Sequence, residues 1–219
     1  MHYTKHTISS FIHQADVLVK NSREVDAIRS AVNKYGYGKS EIDKGDRLLA
    51  ELRRVTMQQH VAKSEKVQNY KLKQILQAKI HKTYMKYVKL ARIGFSEDIM
   101  ARKALLLDGA RGRVYSVWVF QVSSFCSIML DEEKHYLTVM RRFGIEKADF
   151  EVLKEQLQEL SYLSDKCLES VGELRKLTAQ RQKKVIEVQH YVSDFVKIAR
   201  IALEYSPQLL ESLGVSVRS

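Results

Sequence analysis

Proline is nearly missing from this chain: Pro207 is the only one in 219 residues, and glycine occurs nine times. With so few interrupters, and with Ala, Leu, Lys, Glu, Gln and Arg dominant, the composition argues against a sheet-rich fold and for long helices. Cysteine is scarce too. Cys126 and Cys167 stand at positions that read as apolar, so free, buried thiols are expected rather than a disulfide or a nucleophile. The longest uncharged stretch, Val114 to Leu130, contains Ser116, Gln121, Ser123, Ser124 and Ser127. It is short and too polar for a membrane span, so a buried helix is expected there and no transmembrane segment anywhere. No apolar stretch follows Met1-His2-Tyr3-Thr4-Lys5-His6, so no secretory signal is expected and the cytoplasm is the expected compartment.

Catalytic signatures are lacking as well. No Gly-rich phosphate loop follows a strand, there is no Gly-x-Ser-x-Gly elbow and no Cys-x-x-Cys pair, and the seven histidines are scattered. Without a convergent acid, base and nucleophile, enzyme activity gains no support and no cofactor is expected. Acidic charge is short in one half only. Residues 1–108 hold 21 Lys and Arg against 11 Asp and Glu, while residues 109–219 hold 16 against 15. The net charge of +11 therefore belongs almost wholly to the first half, where any acidic partner would meet it.

What the chain does have is a repeat at an offset of 108 residues. Tyr87-Val88-Lys89-Leu90-Ala91-Arg92-Ile93 returns without a gap as Phe195-Val196-Lys197-Ile198-Ala199-Arg200-Ile201, and Lys34-Tyr35-Gly36 returns as Arg142-Phe143-Gly144. The repetition defines repeat one, 1–108, and repeat two, 109–219. Each copy opens with an amphipathic helix, carried in the first by Ile8, Phe11, Ile12, Ala15, Leu18 and Val19. Val114 to Phe120 alternates like a strand, but its partner in repeat one is helical, so both are read as helix. Gly36 and Gly144 supply left-handed helix ends, and Ser40-Glu41-Ile42-Asp43 resembles a capping box. Ser206-Pro207 with Gly214, and Ser96 with Gly109, bracket a closing helix in each copy.

Between these ends lies a long 3-4 apolar pattern. Continued as one helix of about 55 residues, roughly 80 Å, its seam in repeat one would bury Gln59, Lys63, Lys66 and Lys73, a costly set of polar groups. A reversal near Ser64–Tyr70 and near Gly172–Gln180 is therefore expected. The expected fold is all-α: an antiparallel four-helix bundle of two tandem-repeated long hairpins with shorter flanking helices, forming a single compact domain over 1–219.

Three groups of residues are candidates for function. Glu132 with His135 and Glu187 with His190 each form a Glu-x-x-His pair, the spacing used in carboxylate-bridged di-iron bundles. Against a metal site, Val185, Val188 and Val192 set the inner face of their helix and turn Glu187 and His190 outward, and the repeat-one equivalents are Lys79 and Lys82. The second group is a basic run of Lys63, Lys66, Lys71, Lys73, Lys79, Lys82, Lys86, Lys89 and Arg92, opposed only by Glu65. Such a ridge attracts nucleic acid or another anionic surface without sequence choice, or it is simply a solvated face.

The third group is Trp118, Val122, Phe125 and Met129, a helical stripe whose repeat-one partners at the same offset are Ser10, Gln14, Val17 and Asn21. If Ser116, Ser123, Cys126 and Ser127 make the close helix contact, this stripe either packs on its own bundle or forms a homodimer interface.

The segments Phe195-Val196-Lys197-Ile198-Ala199-Arg200-Ile201-Ala202 and Ser206-Pro207-Gln208-Leu209-Leu210-Glu211-Ser212-Leu213-Gly214 are similar to helical-bundle proteins of unknown function found in bacteria. The resemblance implies a fold, no activity and no functional residues. Taken together, the sequence points to a non-enzymatic helical scaffold that binds a protein partner or a second copy of itself. The first alternative is an accessory protein on nucleic acid or another anionic surface, and the second is a ferritin-like metal-dependent oxidoreductase.

Overall fold

A computed structural model describes residues 7–131 and 135–215. All regular structure among the described residues is helical: α1 (Ile8–Glu24), α2 (Asp26–Asn33), α3 (Lys39–Gly94), α4 (Ile99–Ala104), α5 (Tyr115–Met129), α6 (Tyr136–Arg141), α7 (Lys147–Ala202) and α8 (Gln208–Ser212). No described helix is long and apolar enough to cross a membrane. The segment that alternates like a strand is α5, as the repeat argument required. α3 and α7 have the same length, 56 residues, and both of their ends obey the repeat offset.

The expected reversals do not occur; each hairpin arm pair is one continuous helix. The polar seam is tolerated because its members are paired or left near water. Gln59 is only half-buried, donates to Thr178 Oγ1 at 2.9 Å and accepts from Arg181 Nη1 at 2.5 Å. Lys63 is exposed, Lys66 and Lys73 are half-buried, and Lys73 Nζ sits 4.5 Å from the centre of the Tyr115 ring. Asn69 Nδ2 donates to Ser170 Oγ at 2.7 Å. Apolar burial along this stretch shrinks to small or isolated side chains, among them Val55, Ala62, Cys167 and Leu177. A contact this thin costs little desolvation, and Gly172 is an ordinary helical residue rather than a turn.

The chain divides into two compact units, and the boundaries fall inside the long helices rather than between the repeats. The first unit runs to Ser64 and resumes at Gly172; the second is Glu65–Val171. Each unit thus joins the first part of one repeat to the second part of the other. In the first, α3 and α7 run antiparallel, and Phe11, Leu18, Ile28, Leu49, Val192 and Phe195 form the core. Tyr37 meets Phe195 edge-on at 5.1 Å, and Lys184 bridges Glu51 and Glu187. In the second, Tyr84, Val88, Trp118, Phe125, Met140 and Phe150 play the same part. Tyr84 packs edge-on against Phe125 at 5.4 Å, and Tyr87 lies 5.3 Å from Phe150.

Local ends follow known capping chemistry with some changes of residue. Thr7 Oγ1 accepts from the Ser10 amide at 3.2 Å, and Asp98, not Ser96, caps α4 by accepting from the Ala101 amide at 2.8 Å. α3 starts before Ser40, with the Glu41 and Ile42 amides donating to the Gly38 carbonyl. Gly36, Gly144 and Gly214 have φ of +87°, +70° and +72°. The counterpart of Gly214 is Leu106, at φ +52°, and not Gly109, so repeat one ends this turn on a residue that is strained there.

The two opening helices differ in register. α1 buries Phe11, Ala15, Leu18, Val19 and Ser22, whereas α5 buries Trp118, Val122, Phe125, Cys126 and Met129. Each buried residue of α5 lies 107 residues after its counterpart in α1, a slip of one position. On a helix one position is a rotation of about 100°. The stripe that looked like a gain of repeat two is the ordinary core face, displaced.

Candidate functional site

The self-association stripe is therefore not a surface. Trp118 is 4 % exposed and Val122, Phe125 and Met129 are fully covered within their own unit, so these four residues have nothing to offer a second copy. Ser116, Ser123 and Ser127 face solvent instead of making the close contact; of the small-residue stripe only Cys126 is buried. Burial pushes the Cys126 thiol up to about 12, which keeps it protonated and unreactive near neutrality.

The metal candidates do not converge. Glu132 lies outside the described residues, and His135 precedes α6 in a left-handed conformation at φ +54°. Glu187 is held by Lys184 Nζ at 2.8 Å, while His190 is exposed on the rim of a groove of about 860 Å³ with Glu41, Lys44, Ile186 and Asp194. Among the described residues no group of three or more His, Cys, Asp or Glu is close enough to hold an ion.

The basic run resolves into distinct parts. Lys63 belongs to the first unit. Arg92, although its residue is exposed, is tied to the chain after α4: its Nε donates to the Leu107 carbonyl at 2.8 Å and its Nη2 to the Gly109 carbonyl at 3.0 Å. Lys66 is half-buried, and Lys73 covers a ring. Lys71 is exposed, and so is the row of Lys79, Lys82, Lys86 and Lys89 further along α3. They face solvent because Leu76, Ile80, Tyr84, Tyr87, Val88 and Ala91 take the core side of that helix.

Two neighbours of this row did not figure among the candidates. Ile75, Lys79, Lys82, Lys86, Lys89 and Ile93 recur at alternating steps of four and three, so they form one continuous face. Ile75 is 58 % and Ile93 64 % exposed, and Leu72, 46 % exposed, borders the same face. None of the four lysines makes an ion pair among the described residues, and the sequence holds no Asp or Glu between Glu65 and Glu97. The surface is thus apolar at both ends and uniformly positive between. The spacing was visible in the sequence; the exposure of the isoleucines was not, because an isoleucine in a helical repeat normally marks the core.

A cavity of about 520 Å³ lies on another flank of the same unit, lined by Gln74, Gln77 and His81 of α3, by Arg111 and Arg113 from the segment leading into α5, and by Trp118 of α5 itself. No sequence pattern pointed to it, since its walls come from stretches some thirty residues apart. Comparison with known proteins found no matching protein family, no similar curated protein and no similar solved structure.

Proposed function

We infer that this protein is a non-enzymatic helical scaffold that binds an acidic protein segment on the α3 face formed by Leu72, Ile75, Lys79, Lys82, Lys86, Lys89 and Ile93. The observation that carries this reading is the combination of four exposed lysines without carboxylate partners and three exposed branched aliphatic side chains on one helical face. Aliphatic groups at both ends of an unpaired lysine row give a protein partner apolar surface to cover, whereas a phosphate backbone makes no use of them. A partner helix with acidic and apolar residues in alternation satisfies both.

The uniform charge of this face also favours a second reading, binding of duplex nucleic acid without sequence choice. Fluorescence anisotropy separates the two. An acidic amphipathic peptide and a duplex DNA are titrated against the protein at low and moderate salt, with Ile75→Ser/Ile93→Ser and Lys82→Glu/Lys86→Glu variants. The scaffold reading expects peptide binding that both variants weaken. DNA binding insensitive to the isoleucine changes, with no peptide binding, establishes the second reading instead.

A further inference from the structure

The cavity in the second unit supports an inference separate from the α3 face. Its polar groups are held in place by the chain yet keep unused donors. Arg111 is fixed by three acceptors: Nη1 donates to Tyr84 Oη at 3.0 Å, and Nη2 to the carbonyls of Asp108 at 3.0 Å and Gly109 at 3.4 Å. Its Nε–H is buried without any partner. Arg181 of the first unit has an unpartnered Nε–H too, so what sets Arg111 apart is the cavity it lines together with Arg113. Arg113 faces solvent at the cavity wall and makes no ion pair or hydrogen bond among the described residues.

The ring system is equally defined. Trp118 Nε1 can only donate, and it donates to His81 Nδ1 at 3.2 Å, which places the His81 hydrogen on Nε2 and leaves that hydrogen as a donor. Tyr115 is locked by a hydrogen bond to Ser164 Oγ at 2.9 Å and by Lys73 over its face at 4.5 Å. The Gly112 amide is bonded to Gln121 Oε1 at 2.8 Å, and a Cβ there would stand 2.6 Å from Val117 Cγ1. The backbone between the two arginines is therefore held close against α5, where a larger residue would have to displace the Val117 side chain.

No carboxylate lines this cavity. The nearest one in sequence, Asp108, is engaged by Arg102 Nη2 at 2.5 Å. Two guanidinium groups, an imidazole donor and two glutamine amides thus surround a concavity of ligand size with no internal counter-charge. The other unit does not repeat this chemistry: His81 and Gln77 correspond to Gln189 and Val185 at the repeat offset, and Trp118 corresponds in register to Phe11.

We propose that this cavity binds a small organic anion, a phosphate or carboxylate attached to a flat apolar body. The anionic group lies between Arg111 and Arg113, where charge-assisted hydrogen bonds are strongest, and the flat body lies along His81 and Tyr115. Trp118 is the only tryptophan of the chain, so its fluorescence reports on this cavity alone.

Phenyl phosphate and phenol are titrated separately into the full chain, with tryptophan emission as the readout. Wild-type protein is expected to saturate with phenyl phosphate and not with phenol over the same range. Arg113→Ala, at an exposed side chain with no ion pair or hydrogen bond among the described residues, should bind about tenfold more weakly, with Lys79→Ala/Lys82→Ala unchanged. No saturable change with phenyl phosphate overturns the proposal. So does equal affinity in Arg113→Ala, equal saturation by phenol, or a loss confined to the lysine variant.

Discussion

Replacing Gly172 by alanine decides whether α7 is one helix or two. In the continuous helix Gly172 lies in the interior of a 56-residue element, and a Cβ placed on it has no atom within 4 Å. Alanine therefore adds no clash. It removes the backbone freedom that glycine holds in the unfolded chain and raises helix propensity, for a gain of about 0.5–1 kcal/mol. Proline at the same position breaks a helical hydrogen bond and costs about 3 kcal/mol or more. If the chain instead turned back here through a left-handed glycine, alanine would cost about 1 kcal/mol, and proline, whose φ is fixed near about −65°, would be unfavourable as well, so the sign of the alanine effect is what separates the two. Equilibrium urea unfolding followed by far-UV circular dichroism reads the difference. With a slope of about 2–3 kcal/mol per molar urea, Gly172→Ala is expected to raise the midpoint by about 0.2–0.5 M. A lowered midpoint for alanine, or an unchanged one for proline, refutes the continuous helix.

Two further outcomes follow from local geometry. Leu106→Gly should be more stable than Leu106→Ala by about 1 kcal/mol, because both lose the same side-chain contacts while only glycine relieves φ +52°; thermal denaturation of the pair measures this, and an alanine variant at least as stable as the glycine one contradicts it. Burial holds the Cys126 thiol near 12 in the folded chain against an ordinary value of 9.0. Above pH 9 the unfolded chain gives up that proton and the native chain keeps it, so stability falls as pH rises. Between about pH 8 and pH 10 the wild type should lose about 1.4 kcal/mol more than Cys126→Ala, and parallel losses in urea titrations would show that the thiol is not buried as described.

Much of the architecture was legible from the repeat. The offset read from Tyr87–Ile93 and Phe195–Ile201 reproduces both ends of α3 and α7, and comparison of copies turned an apparent strand into α5. The continuity of α3 and α7 was hidden because Gln59, Lys66 and Lys73 look unaffordable on a buried seam. The seam is thin, and Gln59 is paired on both sides, donating to Thr178 Oγ1 and accepting from Arg181 Nη1. The sequence left the Trp118 stripe between its own core and a homodimer face for a different reason: one deleted position rotates a helix by about 100°, and an ungapped comparison then hides the match to the core face of α1. In the lysine row the charges were plain from sequence, whereas the exposure of Ile75 and Ile93 depends on which side of α3 the core occupies. Arg111, Arg113 and His81 meet only in the folded unit, through a glycine packed against α5.

Site-specific photo-crosslinking in living cells tests the proposed α3 face most directly. A benzophenone amino acid is placed at Ile75, at Lys82 and, as a control on exposed α7 surface, at Glu155. One discrete acidic protein adduct is expected from Ile75 and Lys82, none from Glu155, and the adduct should be lost when Lys79→Glu and Lys86→Glu are added. No adduct from the α3 positions, an equal adduct from Glu155, or an adduct that survives charge reversal would contradict it.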